Sequence, residues 1–401
     1  SISATSALGT TVRQVTVSVD IDPSAPRINE FVADNSDEGL LDAEGDSEDW
    51  IEIYNPGPNP ADLSGYFLTD SAGTPNKWAF PPMTMEPDTY LIVFASSKAP
   101  ASPGGQLHTS FKLSAGGEYL ALTRDEGAGN FVVVSEFAPE YPRQEEGFSY
   151  GVGSDGISVG FFQTATPGGP NGTASLGFVA DTQFDVDRGF FSAPFTLNIS
   201  TATPDATIRY TTDGSTPTEG HGTIYSGPLT ISGTTTLRAA AFKDGYFPTN
   251  IDTHSYLFLD DVRTQYTNGA APAGWPTDNV NGQQFNYGMD PDITGRYSAQ
   301  EVIDALSAIP SVSIVTDQAN LTDSATGIYV NAGNHGRSWE RPTSFEILDP
   351  SGAKINMQTD CGLRIRGGRR EARGAGTDGA AQLDRGAQVL SEQEFGDSRC
   401  I

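Results

Sequence analysis

The stretch that decides the fold covers residues 49–55 and reads D-W-I-E-I-Y-N. It is a short apolar run that ends at Pro56, Pro58 and Pro60, as β-strands commonly do. Similar runs lie between turn-forming segments at residues 28–33, 66–69, 90–95, 119–123 and 131–136. A row of short strands without a long helical pattern predicts an antiparallel β-sandwich over residues 25–172. Its predicted core residues are Trp50, Ile51, Ile53, Tyr66 and Leu68.

Residues 178–259 repeat this pattern on a smaller scale. Strand-like runs fall at residues 195–199, 207–211, 227–231, 234–242 and 253–257. Asp213-Gly214 supplies a tight-turn signal after the second of these runs. A segment of this size and pattern predicts a small immunoglobulin-like sandwich.

The remaining segments complete a fold class that is mainly β, with tandem immunoglobulin-like β-sandwiches followed by an incomplete α+β domain. Residues 260–308 are predicted to be a connector with one short helix at 299–308, because Val302, Ile303 and Leu306 share a helical face. Residues 309–368 contain predicted strands at 311–316, 327–331, 344–348 and 362–366. Alternating valines in residues 1–21 predict the last strand of an upstream domain.

Composition narrows the classes of function. The net charge of −28 disfavours nucleic acid and anionic membranes as partners, since both carry negative charge. No run of residues reaches the ~18–20 apolar positions of a membrane span. Only Cys361 and Cys400 occur, which is too few for a disulfide framework; either a bridge between them or a buried Cys361 thiol fits the sequence.

Residues 27–172 resemble the bacterial lamin-tail domain. The matching segments, in order, are residues 28–31 (I-N-E-F), 49–55, 63–70 (L-S-G-Y-F-L-T-D), 77–81 (K-W-A-F-P), 111–118 (F-K-L-S-A-G-G-E) and 166–171 (T-P-G-G-P-N). The resemblance implies an immunoglobulin-like sandwich that serves binding or attachment. It also implies a bacterial extracellular or cell-surface location, with an unknown protein or polysaccharide surface as partner.

Residues 178–259 resemble the chitobiase/β-hexosaminidase C-terminal module. Its pattern is matched at residues 208–218 (I-R-Y-T-T-D-G-S-T-P-T), 225–229 (Y-S-G-P-L) and 236–243 (T-L-R-A-A-A-F-K). The resemblance implies an accessory sandwich found beside glycoside hydrolases and in surface proteins. Tyr225, Tyr246 and Phe247 are candidates for a sugar-stacking platform, with packing in the core or in turns as the default interpretation.

Residues 309–368 resemble the start of a CotH-type spore-coat kinase domain. The matching segments are residues 310–317 (P-S-V-S-I-V-T-D), 326–331 (T-G-I-Y-V-N), 339–342 (W-E-R-P) and 362–368 (G-L-R-I-R-G-G). The family transfers phosphate from ATP to protein, so Arg366, Arg369 and Arg370 are candidate phosphate contacts. No Lys follows Lys354, and the metal-binding half of the family pattern is absent, which predicts that this chain is not an enzyme.

Residues 369–401 depart from the kinase pattern. They are rich in Arg, Gly and Ala, and their apolar residues show no sustained period. Two hypotheses fit this tail: residues 369–394 are translated in the wrong reading frame, or the tail is disordered.

The segment with the highest density of acidic residues is 34–49, which holds eight carboxylates in sixteen positions. Asp42, Glu44, Asp46, Glu48 and Asp49 form a candidate Ca²⁺ site, because hard cations prefer oxygen ligands. The segment lacks the EF-hand spacing, and a solvated acidic loop is the alternative interpretation. Ca²⁺ is the only cofactor that the sequence suggests.

Three functions remain open from sequence. The leading hypothesis is a set of non-catalytic extracellular interaction modules within a larger multidomain protein. The alternatives are the targeting region of a CotH-like kinase whose catalytic half is missing, and a carbohydrate-binding accessory module.

Overall fold

The computed structural model describes residues 24–98, 105–266, 269–277, 280, 287–350, 357–366 and 386–391, with side chains for all of these but 366 and 386–391. The chain forms two compact units that divide between Gly177 and Phe178. Strands dominate both units, which confirms the prediction of a mainly β chain with immunoglobulin-like sandwiches. The strand predicted in residues 1–21 lies outside the described residues.

Unit 1 is built from short strands. They are β1 (Arg27–Val32), β2 (Trp50–Tyr54), β3 (Ala61–Asp62), β4 (Tyr66–Thr69), β5 (Trp78–Ala79), β6 (Thr84–Met85), β7 (Tyr90–Phe94), β8 (Leu107–His108), β9 (Leu120–Asp125), β10 (Phe131–Phe137), β11 (Ser149–Val152) and β12 (Val159–Phe162). One sheet has the order β12-β11-β1-β2-β7-β8, and the other has the order β10-β9-β4-β5. β3 and β6 form a separate small ladder.

The alternation of side chains along β2 divides its residues between two environments. Ile51 and Ile53 lie in the core between the two sheets, together with Leu68 of β4 and Leu122 of β9. Trp50 points to the opposite face, where it packs in a smaller cluster with two neighbouring apolar residues, Val32 and Phe94. All five residues predicted as core are buried. Glu52 shares the face of Trp50 and is also fully buried, which the apolar pattern did not predict.

Unit 2 begins with a second sandwich. Its strands are β13 (Thr182–Phe184), β14 (Gly189–Phe190), β15 (Phe195–Leu197), β16 (Ile199–Thr201), β17 (Thr207–Thr211), β18 (Thr223–Ile224), β19 (Leu229–Ile231), β20 (Thr235–Phe242) and β21 (Asp252–Leu257). The main sheet has the order β14-β21-β20-β17-β18, and β13-β16 and β15-β19 form two small ladders. Leu197, Leu237 and Tyr256 are fully buried at the centre of its core.

The rest of unit 2 combines short helices with one sheet. The helices are α1 (Leu259–Thr264), α2 (Pro291–Arg296), α3 (Ala299–Ser307) and α4 (Gln318–Thr322), and a 3-10 turn covers Arg337–Trp339. β22 (Ser311–Val315), β23 (Arg341–Leu348), β24 (Met357–Arg366) and β25 (Gly386–Ser391) pair in that order as an antiparallel sheet. The predicted helix at 299–308 is confirmed as α3, and a capping box between Ser298 and Glu301 fixes its start.

Several local predictions for the second half of the chain were wrong. The connector 260–308 holds α1 and α2 in addition to α3; each has six residues, too short for a clear apolar period. The strand predicted at 327–331 is a turn, because Ile328 and Tyr329 donate backbone hydrogen bonds back to Asn320 and Leu321. In the tail 369–401 the structure describes only residues 386–391, which form β25 and pair with β24 through the backbone; the hypotheses for the tail as a whole stay predictions. Within the described residues, every helix is too short or too polar to cross a membrane.

Candidate functional site

The acidic loop between β1 and β2, residues 34–49, folds around the side chain of Asp42. Its Oδ1 accepts hydrogen bonds from the backbone N–H groups of Glu44 (3.0 Å) and Asp46 (2.9 Å). The backbone of Asp42 exchanges hydrogen bonds with Gly45 and Asp46, which closes a tight turn. Gly45 has φ +87°, a conformation that residues with a Cβ rarely adopt. Asp42 is therefore a structural centre of the loop.

Side-chain contacts with backbone carbonyls hold the loop in place. Asn35 Nδ2 donates to the carbonyls of Leu40 (2.8 Å) and Glu48 (2.9 Å). Ser47 Oγ donates to the carbonyl of Ser36 at 2.7 Å. These bonds satisfy carbonyl groups that a loop without a partner strand would otherwise leave to solvent.

Lys98 occupies the middle of the carboxylates. Its Nζ donates to Asp42 Oδ2 and to Asp46 Oδ2 (2.8 Å), and lies 3.6 Å from carboxylate oxygens of Glu44 and Glu48. Burial opposes ionisation of Asp42, but the hydrogen bonds from Lys98 and from two backbone N–H groups lower its pKa to about 2. The same contacts raise the pKa of Lys98. The cluster thus carries its own cation.

Four of the five predicted Ca²⁺ ligands come together, and the fifth does not. Oxygens of Asp42, Asp46 and Glu48 lie within 4.8 Å of one another, and Glu44 groups with Asp42 and His108. Asp49 is half-buried outside both groups, and burial raises its pKa to about 6. A cation bound by these oxygens would have to displace the ammonium of Lys98. The sequence analysis missed Lys98 because it lies 56 residues from Asp42.

A second group of carboxylates lies in the interior of unit 1. Glu30 of β1 and Glu52 of β2 are cross-strand partners, and both are fully buried. Burial raises the pKa of Glu30, and it raises the pKa of Glu52 to about 7, an effect to which the charge of Glu30 adds. Sequence reasoning missed this pair, because a single Glu at alternate positions of a strand usually faces solvent.

The segment 166–171 covers the two buried glutamates. Thr166 donates its backbone N–H to Glu30 Oε2 at 3.0 Å, and Gly168 donates its backbone N–H to Glu52 Oε2 at 2.6 Å. Gly168 has φ +84°, so a residue without a Cβ is favoured at this contact. We call residues 166–171 the closing segment.

Asn171 ends the closing segment with a buried hydrogen-bond network. Its Nδ2 donates to the backbone carbonyls of Asn29 (3.0 Å) and Val152 (2.8 Å). Its Oδ1 accepts from Thr166 Oγ1 at 2.8 Å. Asn29 Nδ2 in turn donates to Glu52 Oε1 at 2.8 Å, so both strands and the closing segment share one network.

The other predicted site residues are the phosphate-contact candidates, whose side chains lie outside the described residues, and the sugar-stacking candidates of the second sandwich. Arg366 ends β24, its side chain is outside the described residues, and so are Arg369 and Arg370. Tyr225 and Tyr246 pack half-buried against the core of the second sandwich. Phe247 stacks instead on Phe178, with ring centroids 5.4 Å apart. The sugar platform and the phosphate contacts stay predictions.

The fold and these two carboxylate groups define a class of protein: immunoglobulin-like β-sandwich modules in which the grouped acidic side chains make contacts within the protein. Residues 22–136 match the sequence model of the Lamin Tail Domain family, and residues 186–253 match that of the chitobiase/beta-hexosaminidase C-terminal domain. Both resemblances seen in the sequence are confirmed, whereas the resemblance to CotH-type kinases gains no support and stays a prediction. No curated protein shows a significant match to the chain.

Proposed function

We propose that the chain is a non-catalytic attachment region of an extracellular or cell-surface protein, with its sandwiches acting as spacers and binding modules. The observation that carries this proposal is the pair of family matches, because both domains fit non-catalytic interaction modules. The net charge of −28 favours an uncharged or basic surface as partner over nucleic acid. A protein or polysaccharide surface meets that condition.

The contacts of the carboxylates support a non-catalytic role. Acid–base catalysis by paired carboxylates needs both groups in a cleft that substrate can enter. Glu30 and Glu52 are fully buried and accept hydrogen bonds from the closing segment. They are placed to hold unit 1 together and are closed to substrate.

In this proposal the acidic loop is a structural element that ion pairs with Lys98 hold closed, and we call it an ion-paired clasp. Lys98 neutralises part of its charge and ties the β1–β2 connection to the segment that follows β7. In this role the loop keeps one conformation without Ca²⁺. Binding of Ca²⁺ would require Lys98 to leave the oxygens of Asp42 and Asp46.

Surface location is tested with intact cells that make the protein. The cells are treated with a protease that does not cross the membrane, and the chain is followed with an antibody raised against purified unit 1 and unit 2 sequences. We expect the signal to disappear while a cytosolic enzyme in the same cells stays intact. A chain that resists the protease until the cells are lysed would refute the proposed location.

The kinase alternative is tested on the purified chain. With Mg²⁺ and ATP we expect no formation of ADP above a buffer control. ADP formation that is abolished by Arg366→Ala but kept by Arg296→Ala, an exposed arginine of α2, would replace the attachment proposal with the CotH-like alternative.

A further inference from the structure

Unit 2 contains a cavity of about 510 Å³, partly open to solvent, between its sandwich and the β22–β25 sheet. The sandwich contributes Thr216, Arg238 and Ile251, and the sheet region contributes Glu340, Pro342 and Cys361. Ligand-binding pockets commonly have volumes of roughly 300–1,000 Å³. The cavity is large enough for a small organic molecule.

Buried contacts fix the two walls of the cavity relative to each other. Glu346 of β23 is fully buried and accepts hydrogen bonds from Arg188 Nη1 (3.1 Å) and the backbone N–H of Ser255 (3.1 Å). Asp317 accepts from the backbone N–H of Thr216 at 2.7 Å and from its hydroxyl at 2.6 Å. Because these bonds cross from the sandwich to the sheet region, the cavity is preformed.

Arg238 of β20 brings an unused donor to this wall. Its side chain is buried, with the residue 6% exposed, and Nη1 donates to Gly214 O (3.0 Å) and Thr216 Oγ1 (3.1 Å). Its Nε has no hydrogen-bond partner among the described residues. Burial lowers the pKa of Arg238, while the charges of Asp317 and Asp360 act in the opposite direction and compensate its charge. Arg238 Nε therefore lacks a hydrogen-bond acceptor, whereas the positive charge of the side chain has negative charges nearby.

Glu340, directly before β23, brings an unused acceptor from the other wall. The residue is 9% exposed, and its Oε1 accepts from Arg364 Nη1 at 2.9 Å. Its Oε2 is buried without a hydrogen-bond partner among the described residues. The salt bridge with Arg364 compensates the charge of Glu340 and leaves one oxygen to accept a further hydrogen bond.

We propose that this cavity binds a neutral polyhydroxylated molecule of mono- or disaccharide size. The two walls have unused hydrogen-bonding capacity of both kinds, donor and acceptor. Their charged side chains have neighbours of opposite charge: Arg238 lies near Asp317 and Asp360, and Glu340 pairs with Arg364. A hydroxyl group accepts and donates, so a molecule with several hydroxyls offers an acceptor to Nε of Arg238 and a donor to Oε2 of Glu340. Ile251 and Pro342 offer apolar surface to the C–H groups of the ring. A zwitterion fits less well, because its charges would lose water without finding unpaired charges on the walls.

This binding site goes beyond the proposed attachment role and differs from the platform predicted at Tyr225, Tyr246 and Phe247. It is tested by titrating the full chain with glucose, galactose, N-acetylglucosamine and cellobiose, followed by saturation-transfer NMR and calorimetry. Alanine, glutamate and inorganic phosphate are titrated in parallel. We expect at least one sugar to bind and the charged compounds not to bind.

Two variants locate the binding in the cavity. Arg238→Lys keeps the charge and removes the Nε donor, and Glu340→Gln removes the charged acceptor; each is expected to weaken sugar binding about tenfold or more. Arg296→Lys and Glu219→Gln, at exposed positions of unit 2, are the matched controls and should bind as the parent chain does. Circular dichroism confirms that each variant is folded.

The outcomes separate clearly. Sugar binding by the parent chain that both cavity variants weaken supports the proposal. If an unfolded variant prevents the comparison, the folded one of the pair decides together with the parent titration. Binding of an amino acid or phosphate but of no sugar, no binding of any compound at millimolar concentration, or sugar binding that Arg238→Lys and Glu340→Gln leave unchanged would overturn it.

Discussion

Unit 1 holds two groups of carboxylates that the fold treats in opposite ways. The acidic loop concentrates its charges near the surface around Lys98, and these contacts lower the pKa of Asp42 to about 2. Glu30 and Glu52 lie in the interior, where burial raises the pKa of both. In the sequence the acidic loop is the more conspicuous group, yet it is Glu30 and Glu52 that accept the hydrogen bonds of the closing segment. The density of acidic residues is therefore a poor guide to their structural weight.

The two groups also give opposite dependences on pH. The folded-state pKa of Asp42 lies below 3.8, so its stabilising effect is complete above that pH and is lost as the pH falls through about 2. The folded-state pKa of Glu52 lies above 4.5, so its stabilising effect is complete below that pH and is lost as the pH rises through about 7. Acid weakens the loop, and neutral pH weakens the interior pair.

The largest effect is expected from Glu30→Ala, which removes the interior group and keeps the loop. Ser149 Oγ and the backbone N–H of Thr166 lose their acceptor in the interior. We expect the free energy of unfolding of unit 1 to fall by about 3 kcal/mol or more, because two buried donors lose their acceptor and the missing side chain leaves a cavity. Hydrogen exchange of β1 and β11 amides measures the loss within unit 1.

Glu38→Ala, an exposed position of the acidic loop, is the matched control and should change the free energy by less than about 0.5 kcal/mol. Equal losses in the two variants would remove the contrast between the interior pair and the loop.

Glu52→Gln sharpens the contrast in pH dependence. A shift of the pKa from 4.5 to about 7 weakens the fold by at most about 3 kcal/mol between those pH values. Gln does not ionise, so the variant should lose most of the decline in stability over this range, whatever its absolute stability. Because Glu30 and Glu52 titrate as a pair, some slope from Glu30 will remain.

The slope is measured by urea unfolding at a series of pH values from 4 to 8, with Glu38→Gln as the exposed control. A slope for Glu52→Gln equal to that of the parent chain would show that the pair does not take up a proton in this range.

The contrast also explains what the sequence predicted and what it missed. The sandwiches followed from local patterns: the run predicted as a strand at residues 49–55 contains the observed strand Trp50–Tyr54, because strand alternation and prolines are short-range signals. The carboxylates of the acidic loop could be grouped from the sequence because they are contiguous. Lys98 and the Glu30–Glu52 pair were missed because their partners come from distant segments, and nothing local marks a lone Glu as buried.

The same reasoning accounts for the wrong strand at 327–331. The run G-I-Y-V-N has the β-branched and aromatic residues of a strand. The chain instead turns at this point, since Gly327 and Asn331 complete hydrogen bonds with residues four positions earlier. A strand needs a neighbour to pair with, and five residues of sequence do not reveal whether a neighbour is in reach.

Lys98→Gln tests whether the loop is a clasp or a cation site. The variant removes the ammonium from the oxygens of Asp42 and Asp46 and leaves a neutral, polar side chain that is one atom shorter. We expect Ca²⁺ to bind the variant about tenfold more tightly than the parent chain, a difference of about 1.4 kcal/mol. Calorimetry with Ca²⁺ at low ionic strength measures both affinities.

Lys112→Gln is the matched control, because Lys112 pairs with Glu48 at 3.0 Å, whereas the ammonium of Lys98 lies between the oxygens of Asp42 and Asp46. Tight binding of Ca²⁺ to the parent chain, unchanged in Lys98→Gln, would show that Lys98 does not hold the cation position.

The smallest effect is expected from Glu44→Gln, and it separates proximity from energetic weight. Glu44 lies 3.6 Å from Lys98 Nζ, but its side chain is 63% exposed, so water and salt screen the attraction. We expect the free energy of unfolding to change by less than about 0.5 kcal/mol, with any difference vanishing at high salt. Asp42→Asn, at the buried centre of the same cluster, should cost more, because an amide NH2 group would replace the buried oxygen that accepts from Lys98. Urea unfolding at low and high salt compares the two variants. Equal costs would mean that distance to Lys98 alone sets the contribution of each carboxylate to stability. Burial of the carboxylate would then make no difference within the loop.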